Sequence, residues 1–431
     1  MKLADIIDTF ITGDWGEESP TQDTPNAAYC VRGADIVPIT NHNFTDIPQR
    51  YVCDRTKETK LLAAGDLVIE KSGGSPTQST GRIVYVSEDL IKAKGNVVCS
   101  NFCTAFRVKA GWNPLYVYYF WQNVYNHGAF FNFEGKTSGI KNLQLDNALS
   151  AIDIEYLPLE KQNQIVASLA SIDEKIKVNR QINDNLEAMA KQLYDYWFVQ
   201  FDFPNEEGKP YKSSGGAMVY NERLKREVPI GWEVENLIDF AEIKNGATPS
   251  TADEANYGGD IVWITPKDLS DQQSKFVYQG ERNITKQGFD SCSTSMLPTN
   301  SVLMSSRAPI GLVSIAKHEV CTNQGFKSFI PKNISDSIYL YYYIKHHIKQ
   351  IEQLGTGTTF KEVSRDDLCK FPILTIGVKD IYVQWIELQN GIADKQLALT
   401  KEIAALTKQR DELLPLLMNG QATVNYHLSA C

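Results

Sequence analysis

Residues 165–197 have the sequence IVASLASIDEKIKVNRQINDNLEAMAKQLYDYW, and this stretch decides the fold. Apolar, small or amide side chains recur along it at alternating steps of four and three residues. This seam comprises Ile165, Leu169, Ile172, Ile176, Asn179, Asn183, Leu186, Ala190, Leu193 and Trp197. A 3.5-residue repeat sustained over this length predicts a long coiled-coil helix that packs against a helical partner.

Two asparagines, Asn179 and Asn183, occupy the middle of that seam. One interpretation is that they fix the register of the helix against a single partner. The other is that this part of the helix is frayed or exposed. Both remain open from the sequence.

A second long helix is predicted from Tyr382 to Met418, with Gly420 as its stop. Its seam contains Ile392, Leu399, Leu406 and Leu413, which recur every seven residues. A single amphipathic helix of this length needs a partner to cover its apolar stripe, so we expect the two helices to form an antiparallel pair. The alternative is that each helix binds something else.

The rest of the chain is duplicated. Gly13 and Asp35 are 22 residues apart, as are Gly246 and Asp268. Further matches pair Gly81–Asp89 with Gly311–Glu319, Val98–Asn101 with Val320–Asn323, Tyr116–Phe120 with Tyr339–Tyr343, and Lys141 with Lys361. The separation falls from 233 residues at the glycines to 220 at the lysines, so length varies in the intervening loops. Because function varies in loops on a fixed scaffold, we expect two copies of one fold that recognise different things.

The predicted fold class is α+β, with two similar globular α/β domains and two long antiparallel coiled-coil helices related by a pseudo-two-fold axis. The predicted segments are 1–156 (first domain), 157–200 (first helix), 201–227 (linker), 228–380 (second domain), 381–420 (second helix) and 421–431 (tail). Strands are expected at 83–86, 96–99, 261–264, 302–304 and 312–315, where short β-branched runs are bounded by turn residues. Tyrosine-rich helices are expected at 115–125 and 338–351, and their spacing favours packing over base stacking.

Composition excludes several classes of protein. The chain of 431 residues has no apolar run long enough to span a membrane and an acidic N-terminus, so we expect a cytoplasmic location. Eight cysteines without a C-x-x-C pair and six histidines without a ligand-like spacing predict no metal site. The net charge of −9 argues mildly against nucleic acid, although it is a sum in which local basic loops can be hidden.

Two segments imitate catalytic motifs. Asn113–Tyr116 (NPLY) resembles the N-P-P-Y of adenine methyltransferases, but Asn followed by Pro also caps a helix, and the second copy lacks the motif. Glu242–Lys244 (EIK) matches the end of a nuclease site but has no Pro-Asp upstream. We therefore predict no catalytic residues.

Two glycine-rich loops at matching positions point to a polyanion. Residues 135–142 are GKTSGIKN and residues 355–362 are GTGTTFKE. Exposed amides, hydroxyls and a lysine suit phosphate oxygens, whereas the simpler alternative is an ordinary turn. Arg307 suits guanine and Gln324 suits adenine in a major groove, and residues 71–78 occupy the corresponding place in the first domain.

Taken together, the chain resembles the specificity (S, HsdS) subunits of Type I restriction–modification enzymes. The resemblance is carried by Leu157-Pro158, Glu160-Lys161-Gln162 and the segments 179–204, 208–219, 229–240, 261–269, 305–315, 321–331 and 355–364. The start of the first domain (GDWGEESPT, VRGADI) is similar but looser. The second helix departs from the family, with KDIYVQWIELQ in place of the more usual E-Q-x-x-I start.

The resemblance implies that each domain is a target-recognition domain for one half of a split, asymmetric DNA sequence. It implies that the helices set the spacing between the half-sites and dock two methyltransferase (M) subunits, which bind S-adenosylmethionine. Motor-nuclease (R) subunits, which use ATP and magnesium, would complete the complex, and the S chain itself would hold no cofactor. The alternative from another class is a two-headed coiled-coil adaptor that binds proteins.

The residues to which we assign DNA contact are drawn from both copies. They are Lys71, Ser72, Ser75, Thr77, Gln78, Lys136, Thr137, Ser138 and Lys141 in the first domain, and Thr248, Lys267, Ser305, Ser306, Arg307, Gln324, Lys327, Thr356, Thr358, Thr359 and Lys361 in the second.

Overall fold

The computed structural model describes residues 1–73, 78–137, 140–272, 274–357, 361–376 and 379–422. It divides into two compact units, one formed by Met1–Gln181 with Thr400–Cys431 and the other by Ile182–Leu399. Each unit keeps with its domain those parts of the two long helices that pack against it. The units therefore cut both long helices, whereas the segments predicted from the sequence end where the helices begin.

Among the described residues of the first domain, ten strands and five α-helices precede the first long helix. The strands are β1 (Ile7–Thr12), β2 (Asn26–Val31), β3 (Gln49–Val52), β4 (Leu67–Glu70), β5 (Ser72–Gly73), β6 (Ile83–Tyr85), β7 (Val97–Cys99), β8 (Cys103–Val108), β9 (Glu134–Thr137) and β10 (Ile140–Leu143). The helices are α1 (Ile36–Thr40), α2 (Asp54–Thr59), α3 (Glu88–Lys94), α4 (Pro114–Asn126), α5 (Leu145–Ala151) and then the long α6 (Leu159–Tyr194), which a π-helical turn (Asp195–Val199) follows.

The second domain repeats this plan. Its strands are β11 (Met218–Asn221), β12 (Arg226–Pro229), β13 (Glu233–Asn236), β14 (Ala241–Asn245), β15 (Tyr257–Ile264), β16 (Phe276–Val277), β17 (Asn283–Ile284), β18 (Val302–Ser306), β19 (Ile310–Ala316), β20 (Cys321–Thr322), β21 (Phe326–Pro331) and β22 (Pro372–Thr375). Its helices are α7 (Leu237–Phe240), α8 (Pro266–Gln272), α9 (Lys286–Asp290), α10 (Ser337–His346), α11 (Ile348–Leu354), α12 (Arg365–Lys370) and then the long α13 (Lys379–Met418).

Four strands of the main sheet and all three strands of a smaller sheet correspond between the two domains. The main sheet has the order β1-β8-β4-β6 in the first domain and β14-β21-β18-β19-β16 in the second. A smaller sheet has the order β3-β2-β7 in the first and β17-β15-β20 in the second, and each contains one parallel pair. The duplication seen in the sequence is thus a duplication of topology. Sheet β5-β10-β9 occurs in the first domain.

Close backbone approaches explain the matched glycines. A Cβ added to Gly13 would lie 1.9 Å from the Ser100 carbonyl oxygen, and one added to Gly246 would lie 2.0 Å from that of Asn323. Gly81 and Gly311 adopt φ values of +94° and +96°, which non-glycine residues rarely adopt. These positions are fixed by the backbone of the fold.

The tyrosine-rich helices are packing elements. In α4, the side-chain oxygen of Asn113 accepts from the amides of Leu115 and Tyr116, with Pro114 in the first turn. This is a helix cap, as expected for the NPLY segment. In α10, eight successive residues from Ser337 to Ile344 are buried. The predicted helix 338–351 is in fact two helices, α10 and α11, which meet at His347.

Segments of the two long helices run antiparallel within each unit. In the first unit, Asp173 pairs with Arg410 and Lys175 with Glu402. In the second unit, Gln396 donates to Glu187 and Gln389 donates to the carbonyl of Ala190. As one residue number rises the other falls, so the helices pair with each other, as the fold class requires.

The seam positions of these helices face inward. The ten predicted seam residues of the first helix are all buried or half-buried, nine of them on α6 and Trp197 in the π-helical turn that follows it. The four of α13 are also buried or half-buried: Ile392, Leu399, Leu406 and Leu413. Asn179 is 6% exposed, which excludes an exposed stretch at that position. Its Nδ2 lacks a hydrogen-bond partner among the described residues.

Candidate nucleic-acid interface

One end of each main sheet collects most of the predicted contact residues. In the second domain, β14 and β18 end there while β19 and β21 begin there, because neighbouring strands are antiparallel. The connections carry Thr248, Arg307, Gln324 and Lys327 to one place. We call this the loop edge of the second domain, and the ends of β1, β4, β6 and β8 form the loop edge of the first.

The segment that carries Lys361 lies against the same edge. The amide of Val363 donates to the carbonyl of Ser306 at 3.1 Å. Thr356 and Glu362 exchange backbone hydrogen bonds at 3.0 and 3.1 Å, and Arg307 forms a further bridge with Glu362. Thr356 and Lys361 are both exposed. The structure therefore brings this loop together with the strand ends.

Two predicted contact residues, Ser305 and Ser306, are fully buried. The Ser305 hydroxyl donates to the carbonyl of Pro309 at 2.7 Å and accepts from the amide of Leu312 at 2.9 Å. The Ser306 hydroxyl donates to the carbonyl of Gly325 at 3.2 Å. Their hydrogen-bonding capacity is used within the loop edge, so neither hydroxyl is accessible to a ligand in this conformation.

The basic residues at this edge differ in how they are neutralised. Lys327 is buried and pairs with Glu362 at 3.1 Å, and the Arg307 guanidinium lies 3.8 Å from the same carboxylate. Lys267 pairs with Glu281 at 2.6 Å at an exposed site. Lys361 forms no ion pair within the described part of the chain. It is the cation at this edge with its charge least compensated.

An amide side chain is also held at this edge. The hydroxyl of Thr248 donates to Oε1 of Gln324, and Gln324 is exposed. This contact orients the Gln324 amide and leaves its nitrogen directed away from the threonine.

Four of the predicted contact residues of the first domain, Ser72, Lys136, Thr137 and Lys141, lie on sheet β5-β10-β9. Lys141, on β10, is ion-paired with Glu134 at 3.0 Å and is largely buried. Burial alone would raise the pKa of Glu134, but hydrogen bonds from Thr80 and Lys141 hold that pKa below its usual value. Lys141 is therefore a neutralised cation. Ser72 donates to Asn142 at 2.5 Å, Gln78 is exposed, and Lys136 and Thr137 belong to β9.

Five predicted contact residues fall outside the described residues. They are Ser75, Thr77, Ser138, Thr358 and Thr359.

Equivalent backbone hydrogen bonds in the two domains show which residues of the two loop edges correspond. The amide of Leu143 donates to the carbonyl of Lys71 as Val363 does to Ser306, which makes Lys141 equivalent to Lys361. The pairs Glu70↔Cys103 and Ser305↔Phe326 make Ser72 equivalent to Arg307. The sequence match between the two lysines is thus correct.

One predicted correspondence is wrong by one residue. Sequence identity aligns Cys99 with Cys321. However, Asp14 donates to the carbonyl of Cys99 at 2.7 Å, and Ala247 donates to that of Thr322 at 2.9 Å. Cys99 therefore corresponds to Thr322. The identity misled because hydrogen-bond register depends on backbone position and not on side-chain type.

The corrected register identifies residues that the sequence did not single out. Asn101 becomes equivalent to Gln324, Phe102 to Gly325, and Trp15 to Thr248. Asn101 and Phe102 are exposed, and Trp15 is half-buried. Asn101 is a second exposed amide at the position of Gln324, and a repeat alignment made by strand pairing would have found it.

Comparison with known proteins decides the family. Residues 3–188 and 229–415 match the model of the Type I restriction modification DNA specificity domain. The chain belongs to this family. The two matched regions correspond to the two copies described above. The family match confirms the resemblance to specificity subunits that the sequence predicted.

Relatives with curated names support this assignment. The chain is 42% identical over 144 residues to the Type I restriction enzyme MjaIX specificity subunit of Methanocaldococcus jannaschii, an alignment covering 33% of each chain. It is 27% identical over 327 residues to the HindI specificity subunit of Haemophilus influenzae, covering 64% of this chain and 70% of that one. The first alignment thus spans about a third of its relative.

A solved structure shares the fold. The Type-I restriction-modification system S subunit from M. genitalium aligns with a TM-score of 0.51 and 13% identity, over 97% of this chain and 95% of that one. At this identity the likeness concerns the fold alone.

The described residues of this specificity-domain chain offer no grouping suited to a metal. Among them, no group of three or more histidine, cysteine or acidic side chains is arranged so that it could hold a metal ion. Lys244 is ion-paired with Glu242 at 2.5 Å, so the E-x-K segment is a pair of neighbours on one face of β14. Among the described helices, none is long and apolar enough to cross a membrane.

Proposed function

We propose that this chain is the DNA specificity subunit of a Type I restriction–modification complex and has no catalytic centre of its own. Each domain contacts one half of a split, asymmetric DNA target through its loop edge. The observation that carries the proposal is the exposed amide at one equivalent position of both edges, Asn101 and Gln324. Asn and Gln suit the N6 and N7 groups of adenine in the major groove.

The side chains around each amide divide into three roles. We infer that Arg307 contacts a guanine edge, while Lys361, Lys71 and Thr356 suit phosphate oxygens. The loops are supported from within the domain by Ser305, Ser306 and Lys327, whose polar groups bond to other residues of the loop edge. Lys141 has the same supporting role in the first domain. Contact by Thr248, Lys267, Lys136, Thr137, Ser72, Gln78 and the five residues outside the described ranges stays a prediction.

The acidic net charge does not oppose this function. The excess of 52 acidic over 43 basic residues is a property of the whole chain. Affinity for a duplex depends on the few cations near its phosphates. We infer that the partner methyltransferases supply much of the remaining electrostatic attraction.

We propose that the long helices dock two methyltransferase subunits, which bring S-adenosylmethionine. Ile182 and Met189 are exposed on α6 one heptad apart, with 38% and 46% of their surface accessible. An exposed apolar stripe of this kind suits a protein partner. Motor-nuclease subunits with ATP and magnesium complete the proposed assembly, which acts in the cytoplasm.

The test is binding of the complex with its methyltransferase to a methylome-derived target, measured by gel shift over a range of salt. DNA recognition requires sequence-specific binding that weakens with salt. The adaptor alternative predicts protein capture with no sequence preference for DNA. Deleting residues 1–150 should abolish preference for one half-site, and an unchanged preference would refute the two-domain proposal.

The helix between the domains offers a second test. Removing four residues within Asn179–Leu186 shortens a helix by about 6 Å. We expect the spacing between the half-sites to change while both half-sites stay the same. Unchanged spacing in the methylome would contradict the proposed role of the helices.

A further inference from the structure

The loop edge of the first domain contains a cavity that the assignments above leave unused. Its volume is about 440 Å³, and its apolar lining includes Trp15, Gly33, Ala34 and Phe102. Phe102 is 58% exposed, one of the most exposed large apolar side chains described. An aromatic ring this exposed at a loop edge is available to contact a ligand.

Contacts within the domain hold two parts of the cavity wall. The Phe102 carbonyl accepts from the amides of both Lys71 and Ser72, at 2.8 and 3.1 Å. The guanidinium of Arg50 stacks 4.0 Å over the Trp15 ring. The backbone of Phe102 and the ring of Trp15 are therefore held by contacts within the domain.

The charged groups around the cavity are already neutralised. Arg82 donates twice to Glu70, at 2.8 and 2.6 Å, and Arg32 donates to Asp35 at 2.9 and 2.8 Å. Glu70 is buried under Gly33 and Gly73, where a Cβ would lie within 2.5 Å of its carboxylate oxygen. A cavity whose charges are compensated in this way favours an uncharged, apolar group over a phosphate.

The second domain has different side chains at the same positions. Thr248, Lys267 and Gly325 stand where the first domain has Trp15, Ala34 and Phe102. The backbone frame is shared, since Ser306 donates to the carbonyl of Gly325 at 2.7 Å as Lys71 does to Phe102. The aromatic cavity is thus a property of one domain on a frame common to both.

We propose that this cavity recognises the C5-methyl group of a thymine in the half-site bound by the first domain. The proposal rests on the proposed DNA-binding function. Thymine methyl is the apolar group that base edges present in the major groove. Phe102 and Trp15 contact it, and the neighbouring Asn101 amide remains available for an adjacent adenine.

The test exchanges thymidine for deoxyuridine, which removes the methyl group alone. The target is first obtained from the methylome, and each thymidine on either strand is then replaced singly. We expect one replacement in the first half-site to weaken binding by the assembled complex about fourfold, as for loss of one buried methyl-sized group. Phe102→Ala should bind both DNAs equally at that position. Phe10→Ala removes a ring that is 47% exposed outside the cavity and serves as the control.

Several results would overturn the inference. They are a first half-site without thymine on either strand, equal binding of all substituted DNAs by the unaltered complex, or an unchanged thymidine preference in Phe102→Ala. If Phe102→Ala does not assemble, Phe102→Leu replaces it and should reduce the preference without abolishing it. Failure of the proposed function is a different outcome, since the unaltered complex would then bind no DNA sequence specifically.

Discussion

Tyr119 donates a hydrogen bond of 2.5 Å to Asp173, whose other carboxylate oxygen accepts from Arg410 at 3.0 Å. The second unit contains the same arrangement, in which Tyr342 and Gln396 both donate to Glu187 at 3.1 Å. Asp173 and Glu187 are 14 residues apart on α6, and Arg410 and Gln396 are 14 apart on α13. In each unit, a tyrosine of the domain thus binds a carboxylate of α6 that a side chain of α13 also binds.

Tyr119→Phe should destabilise the first unit by about 1–2 kcal/mol, because a half-buried carboxylate loses a charge-assisted hydrogen bond. Urea denaturation measures the change. Tyr116→Phe is the control, since the hydroxyl of the equally buried Tyr116 has no hydrogen bond among the described residues. Equal effects of the two variants would show that the tie to Asp173 does not contribute.

Asn179→Leu should raise the stability of the paired helices by about 1 kcal/mol or more, because it removes a buried amide nitrogen without a partner. The exposed Asn185 provides the control, and Asn185→Leu should be close to neutral. Thermal denaturation compares the two. A lower melting temperature for Asn179→Leu would mean that the amide is satisfied and fixes the register by a specific bond.

Lys361→Ala should weaken DNA binding and lower the salt slope by about 1 without loss of stability, because the lysine has no ion pair in the described chain. Lys327→Ala should instead lower stability, by about 1–2 kcal/mol, because it removes a buried side chain and the cation that pairs with Glu362. Lys332, exposed at the opposite end of β21, is the control for charge alone. Equal loss of affinity in Lys332→Ala would argue that the loop edge is not the DNA surface.

Lys275 makes the stability of the second unit depend on pH in the alkaline range. Burial lowers the pKa of its ammonium group to about 8, although Glu187 opposes the shift, and Lys345 and Lys317 add to it. Tyr342 and Gln396 contact the same ammonium at 2.7 and 3.2 Å. Above pH 8 the unfolded chain therefore binds more protons at this site than the folded chain, so its contribution to stability rises with pH.

We expect unaltered protein to gain stability relative to Lys275→Met between pH 8 and 9.5, with a slope below about 1.4 kcal/mol per pH unit. The difference between the two should be flat from pH 6 to 7, where the lysine is protonated in both states. Denaturation at several pH values measures it. A difference that falls with pH above 8 would contradict a lowered pKa.

The sequence predicted the two long helices and five of the strands because their signals are local. The heptad seam fixed α6 and α13, and β-branched runs predicted β6, β7, β15, β18 and β19 within a few residues. It predicted the loop edge only in part. Burial of Ser305, Ser306 and Lys327 depends on contacts with Gly325, Pro309 and Glu362, which are brought close only by folding.

The missed residues have a common physical cause. Trp15 lies in the loop after β1, and Asn101 and Phe102 lie in the loop between β7 and β8. The two loops meet through strand pairing, which a single sequence does not display. The shared V-C-x-N letters also aligned the repeats one residue out of register. The chemically informative pair Asn101 and Gln324 became visible only from backbone hydrogen bonds.

The central claim is that each domain recognises its own half of a split target. Methylome sequencing of cells that carry the complete system with Asn101→Ala or Gln324→Ala tests it most directly. Asn101→Ala should relax the first half-site and leave the second intact, and Gln324→Ala should do the reverse. Altered bases in both half-sites from either single substitution, or in neither from both, would contradict it.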